Sequence, residues 1–121
     1  MGSSEEVTLV AIVKTQPGKG ERFVELSTQA YNTFAPKEPG RLQFQIIRQD
    51  EDASVDSEQT WAVIERYASK EHLAQHRSTD SYSRLFEQFM AEELLSGNPT
   101  MFKGKAVEMA HFDRPFDSRK K

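Results

Sequence analysis

Two histidines four residues apart, His72 and His76, follow closely on a strand-like run that carries Glu65 and Tyr67. At that spacing both imidazoles share one face of a helix, where they could chelate a metal ion or act singly in proton transfer near neutral pH. No glutamate follows His72 in the manner of a zinc-protease helix, and the third histidine, His111, is distant in sequence. The chain has no cysteine, which removes thiolate ligands, disulfides and cysteine nucleophiles. A metal site is therefore not expected. Glu65 is unusual in another way, because a carboxylate on an apolar strand needs a partner or a raised pKa. Arg66 points to the opposite face, which leaves Lys14, Arg41, Arg48 or a histidine as candidate partners.

Strand alternation sorts the residues around this glutamate. Trp61, Val63, Glu65 and Tyr67 fall on one face of the run Thr60–Tyr67, and Ala62, Ile64 and Arg66 on the other. Upstream, Val7–Val13 is almost continuously apolar, as a central strand covered on both faces would be. Pro17-Gly18 ends it, and Phe23, Leu26, Ala30 and Phe34 then recur at helical spacing up to Pro36. Leu42, Phe44 and Ile46 alternate with polar neighbours in a second strand entered through Pro39-Gly40. Asp50–Glu58 has no periodicity and reads as an exposed connection.

The pattern then repeats. After the Thr60–Tyr67 strand, Ser69 caps a helix that carries both histidines, with a break expected at Ser78-Thr79-Asp80. Tyr82, Leu85, Phe86, Phe89 and Met90 supply its apolar side, Gly97-Asn98-Pro99 is expected to end it, and Met101–His111 alternates as a last strand. The expected organisation is a polar N-terminal segment 1–6, one domain over 7–112 and a polar tail 113–121. The order β-α-β, β-α-β predicts an α+β, ferredoxin-like split repeat with an antiparallel four-stranded sheet and both helices on one face. The other face would need cover from outside the chain.

With 121 residues there is room for one core but not for a separate cofactor domain. Nineteen acidic and 16 basic residues are interspersed and give a formal charge of −3, so no basic stripe invites nucleic acid. No apolar run is long enough to span a bilayer, and the N-terminus lacks the parts of a signal peptide. A cytoplasmic protein without a membrane or nucleic-acid partner is expected.

Taken together, Val7–Thr15, Pro17-Gly18-Lys19, Glu38-Pro39-Gly40 and the passage from Gln59 to Tyr82 resemble the antibiotic biosynthesis monooxygenase domain family, over about residues 7–111. The resemblance implies a dimeric α/β barrel, a homodimer packed sheet against sheet, and a cavity between sheet and helices into which the position of Tyr67 points. Many members carry a histidine at the position of His76, near the cavity mouth. The implied function is a cofactor-independent monooxygenase that uses O2 on an electron-rich aromatic such as a phenol or anthrone.

On that basis His76 would be the base, Tyr67 a hydrogen-bond partner of the substrate oxygen and Glu65 a further catalytic candidate. Trp61, Val63, Phe44, His72, Tyr82, Phe86 and Met101 would contact substrate. The haem-degrading branch of the family keeps an Asn, a Trp and a His where this chain has Ala11, His76 and Phe86, which disfavours haem. The quinone-forming branch keeps an Asn and a Trp where this chain has Val63 and Tyr67, so that branch's mechanism does not transfer whole. The alternative is a non-catalytic or isomerase-like dimer that binds a small hydrophobic ligand.

Overall fold

The computed structural model describes residues 5–49, 56–110, 112–117 and 119. The connection expected at Asp50–Glu58 lies mostly outside them, as do His111 and most of the N-terminal segment. In chain order the elements are β1 (Val7–Thr15), α1 (Gly20–Phe34), β2 (Arg41–Arg48), β3 (Gln59–Tyr67), α2 (Lys70–Arg77), α3 (Asp80–Ala91) and β4 (Thr100–Gly104). The strands form one antiparallel sheet in the order β2-β3-β1-β4, the ferredoxin-like α+β arrangement that the split repeat predicts.

Local chemistry accounts for most of the element boundaries. After β1, Lys19 N–H bonds to Gln16 O, with Pro17 and Gly18 at the centre of the turn and Gly18 at φ 77, where a side chain would be strained. The expected break between α2 and α3 is present: Ser69 Oγ accepts from His72 N–H to cap α2, and Thr79 Oγ1 accepts from Tyr82 N–H to cap α3.

Two boundaries differ from expectation. Helix α3 stops at Ala91, well before Gly97, because Glu93 takes a left-handed conformation (φ 52) and Leu94 N–H reaches back to Phe89 O. This Schellman ending, made without glycine, turns Leu94 into the core, where it is fully buried. The last strand spans five residues and not the stretch to His111. Its partner β1 begins at Val7, and the pairing of Thr8 with Gly104 uses up the ladder.

The helices lie over one sheet face. Val7, Leu9, Ala11, Val13 and Thr15 of β1 are buried beneath them, together with Trp61, Val63 and Tyr67 of β3, Phe23 of α1, Leu73 of α2 and Phe89 of α3. On the opposite face no helix among the described residues covers β1, so its apolar continuity marks a central strand without implying two intramolecular layers. Val10 pairs with Ile64 and Phe102, and Ile12 pairs with Ala62. Ile12 is 38% exposed and Phe102 68%.

Candidate active site

Between the sheet and the helices lies a cavity that opens to solvent at one end. Its walls are mostly apolar: Leu9, Ala11 and Val63 from the central strands, Phe34 from α1, and Phe86 and Phe89 from α3. Tyr31 of α1 stacks on Phe44 of β2 at 4.7 Å between ring centres, closing one side. Polar groups gather where β3 ends and β2 begins. There Glu65, Tyr67, Arg41 and His76 all line the same space.

The Tyr67 hydroxyl donates to Glu65 Oε1 at 2.5 Å, although the two residues are next but one along β3. Alternation places both on the inner face, so the bond stays within one strand. Burial and the adjacent Glu65 carboxylate push the Tyr67 phenol far above its ordinary value of 10.0, and it keeps its proton. That proton is engaged by Glu65, so Tyr67 meets a ligand oxygen chiefly as an acceptor and packing surface.

Arg41 reaches this cluster through a β-bulge. Arg41 pairs with Tyr67 and Gln43 with Arg66, so two steps on β2 match one step on β3 and Leu42 is the extra residue. In a regular strand Arg41 would share the outward face with Gln43. The bulge turns it inward instead, and of the possible partners for Glu65 this is the one found. The guanidinium lies over the rings of Tyr31 and Tyr67, with Nη2 3.8 Å from Glu65 Oε1 and Nε 3.9 Å from Glu38 Oε1.

His76 sits on α2, 12% exposed, with Nδ1 2.8 Å from Glu38 Oε1. Tyr67 and Tyr82 flank the imidazole at 5.6 and 5.2 Å between ring centres. Desolvation, assisted by Arg41, holds its pKa below the usual 6.5, while the Glu38 hydrogen bond opposes the shift. The ring is thus neutral at physiological pH. With Nδ1–H donating to Glu38, Nε2 keeps its lone pair, which is the arrangement of a carboxylate-oriented base.

Of the residues singled out in the sequence, Phe44, Val63, Glu65, Tyr67, His76, Tyr82, Phe86 and Met101 line the cavity. Trp61 and His72 do not. The indole of Trp61 packs against Phe23 and donates to Thr15 Oγ1 at 3.0 Å, in closed core. His72 Nδ1 lies 2.8 Å from Ser69 Oγ, and its ring lies against Gly40, where any Cβ would overlap it. It lines a second recess with Lys37, Gln75 and Thr79, which Glu38, Arg41 and His76 also border. The two histidines thus have different partners, and among the described residues no group of three His, Asp or Glu side chains could hold a metal ion. Glu38 was missing from the expected site, because nothing local signals that the turn before β2 will abut a helix some forty residues later.

The fold and this site define a small α+β domain that holds a mostly apolar cavity with a histidine–carboxylate pair at its polar end. Residues 6–88 match the model of the antibiotic biosynthesis monooxygenase family, and the chain belongs to that family. A structure from Caulobacter crescentus, described as a candidate antibiotic biosynthesis monooxygenase, is 26% identical with a TM-score of 0.71, covering 85% of this chain and 91% of its own. A conserved protein from Methanosarcina mazei (18% identity, TM-score 0.72, 88% and 97% covered) shares the fold. So does a candidate monooxygenase of the same description from Nitrosomonas europaea (16% identity, TM-score 0.72, 88% and 93% covered). No curated protein matches the sequence. Among the described residues no helix is long and apolar enough to cross a membrane.

Proposed function

We propose that the protein is a cofactor-independent monooxygenase that oxidises an electron-rich aromatic, a phenol, anthrone or related secondary metabolite, with O2. The observation that carries this reading is His76: a buried, neutral imidazole oriented by Glu38 at the polar end of an apolar cavity. A substrate that ionises to a stabilised carbanion or phenolate can itself reduce oxygen, so the protein need only deprotonate, orient and desolvate it.

In the proposed cycle Nε2 of His76 takes the proton from the substrate. The resulting anion transfers an electron to O2, and the two radicals combine into a hydroperoxide that takes up a proton. Loss of water leaves the carbonyl. The net change for an anthrone is CH2 + O2 → C=O + H2O, which needs no external reductant. Phe44, Tyr82, Phe86 and Met101 form the walls that hold the ring system.

Oxygen uptake by the purified protein with a panel of anthrones and quinols tests the reading. Uptake that survives dialysis against EDTA supports it, and loss restored by one specific metal returns attention to His72 and His76. Ligand binding with no oxygen consumption across the panel favours the alternative, a small-molecule-binding protein of the same fold. That alternative draws on the Tyr67–Glu65 hydrogen bond, which occupies two of the polar groups.

We further propose a homodimer packed through the outer sheet face, supported by the exposed Ile12, Ile47 and Phe102 beside Val10 and Ile64. Ile12 and Ile64 both belong to this face, so aspartate at either should yield a monomer by light scattering. A wild-type protein that is a stable monomer at micromolar concentration sinks the dimer.

A further inference from the structure

The polar end of the cavity contains a cation that pairs with two carboxylates at a distance too long for a hydrogen bond. The Arg41 side chain is only 8% exposed, and its Nε is fully buried with no hydrogen-bond partner among the described residues. The nearest carboxylate oxygens, on Glu38 and Glu65, stand 3.9 and 3.8 Å from guanidinium nitrogens, beyond hydrogen-bond length. Those oxygens already accept from His76 and Tyr67. A buried donor left unmade costs free energy, and arginine carries five donors in a fixed fork. Nε itself is closed off, but the Arg41 side chain lines the cavity, so a ligand oxygen can reach the guanidinium there.

We infer that Arg41 is the oxyanion-binding residue of the cavity, receiving the hydroxyl oxygen of a neutral hydroxyaryl or enolisable ligand and holding it as the anion once His76 has accepted the proton. The inference rests on the base role proposed for His76. It narrows the ligand class through the proton. His76 can accept a proton only from a ligand that brings one, which a neutral hydroxyaryl or enolisable compound does. When its proton passes to His76 the total charge is unchanged, the imidazolium faces Glu38, and the new oxyanion faces Arg41. Tyr31, Tyr67, Tyr82 and Arg77 also face this space. Arg41 is placed for this by the Leu42 bulge alone, since regular pairing would leave it on the outer face.

The test needs no turnover. 4-Nitrophenol changes colour when it ionises, and 4-nitroanisole is the same molecule with the proton replaced by methyl. Bound to the wild-type protein, 4-nitrophenol should show the phenolate spectrum at a pH where the free compound is neutral. Arg41→Gln should weaken its binding roughly 10- to 100-fold and return the bound probe to the neutral spectrum. Arg41→Lys, which keeps a cation but loses the fork, should fall between.

Binding of 4-nitroanisole should change little in either variant, which separates loss of the oxyanion contact from loss of folding. Equal losses for both probes, an unchanged phenolate spectrum in Arg41→Gln, or a wild-type protein that binds 4-nitrophenol only as the neutral phenol would each overturn the inference. Phenolate binding through Arg41 without oxygen uptake from any anthrone or quinol would leave it standing and remove the oxygenase reading.

Discussion

Trp61 and Tyr67 occupy the same face of the same strand, yet one end of β3 is closed core and the other is the polar wall of a cavity. At the Trp61 end the side chain is fully matched. The indole N–H donates to Thr15, the ring packs on Phe23, and a Cβ at Gly20 would collide with both Trp61 and Gln59, so the start of α1 is pressed onto the strand. At the Tyr67 end β2 is bulged, and ionisable side chains, Arg41, Glu65, Tyr67 and His76 among them, face a space that the helices do not fill. Aromatic residues in equivalent strand positions thus acquire different roles from what lies opposite them. Alternation chooses the face, and neighbouring backbone chooses between packing and chemistry.

This contrast is most directly broken at His76. His76→Ala should lower substrate oxidation by roughly two to four orders of magnitude if the imidazole is the base, with little change in the thermal midpoint. The deficit should shrink at high pH, where hydroxide and the more ionised substrate dispense with a base. Full activity across pH in this variant would transfer the role to Tyr67 or Glu65.

Trp61→Ala should show the opposite profile, a loss of about 3–5 kcal/mol in unfolding free energy with turnover per folded molecule retained. Denaturant titration beside a rate assay distinguishes the two outcomes. A variant that stays stable but inactive would place Trp61 in the site after all.

A smaller effect concerns acid stability. The His76 pKa lies below 6.5 in the folded protein, so as pH falls through 6.5 the unfolded chain takes up a proton that the folded one refuses. The stabilising contribution is therefore complete above pH 6.5 and declines as pH drops toward the lower folded value. His76→Gln should flatten that part of the stability–pH curve. Parallel curves for wild type and His76→Gln would show that burial does not depress this imidazole.

Smallest of all is His72→Ala, expected to change stability by no more than about 0.5 kcal/mol and turnover hardly at all. Among the described residues its ring bonds to Ser69 alone, whose cap on the α2 backbone remains. A large rate loss would mean that the recess bordered by Glu38 and His76 takes part in proton transfer.

Much of this was legible in the chain. Pro17-Gly18 marked the turn after β1, Ser69 and Ser78-Thr79 marked caps and a break, and period-two alternation put Val63, Glu65 and Tyr67 on one face of β3, which the family resemblance turned toward the cavity. These signals are local: a cap, a turn or a strand face is set by residues within a few positions of one another. The end of α3 was not legible, because Glu93 takes a left-handed conformation that sequence signals reserve for glycine.

The site itself divides along the same line. By itself the sequence determined the family, the four-stranded split repeat, and the presence of a histidine, a tyrosine and a glutamate near one end of β3. Tertiary structure alone decided that Arg41 faces inward, that Glu38 orients His76, that His72 turns away, and that Trp61 is core. The physical reason is one of range. A one-residue bulge reverses a side chain without any residue type that announces it, and a hydrogen bond between Glu38 and His76 exists only once the turn before β2 and helix α2 are brought together by the sheet.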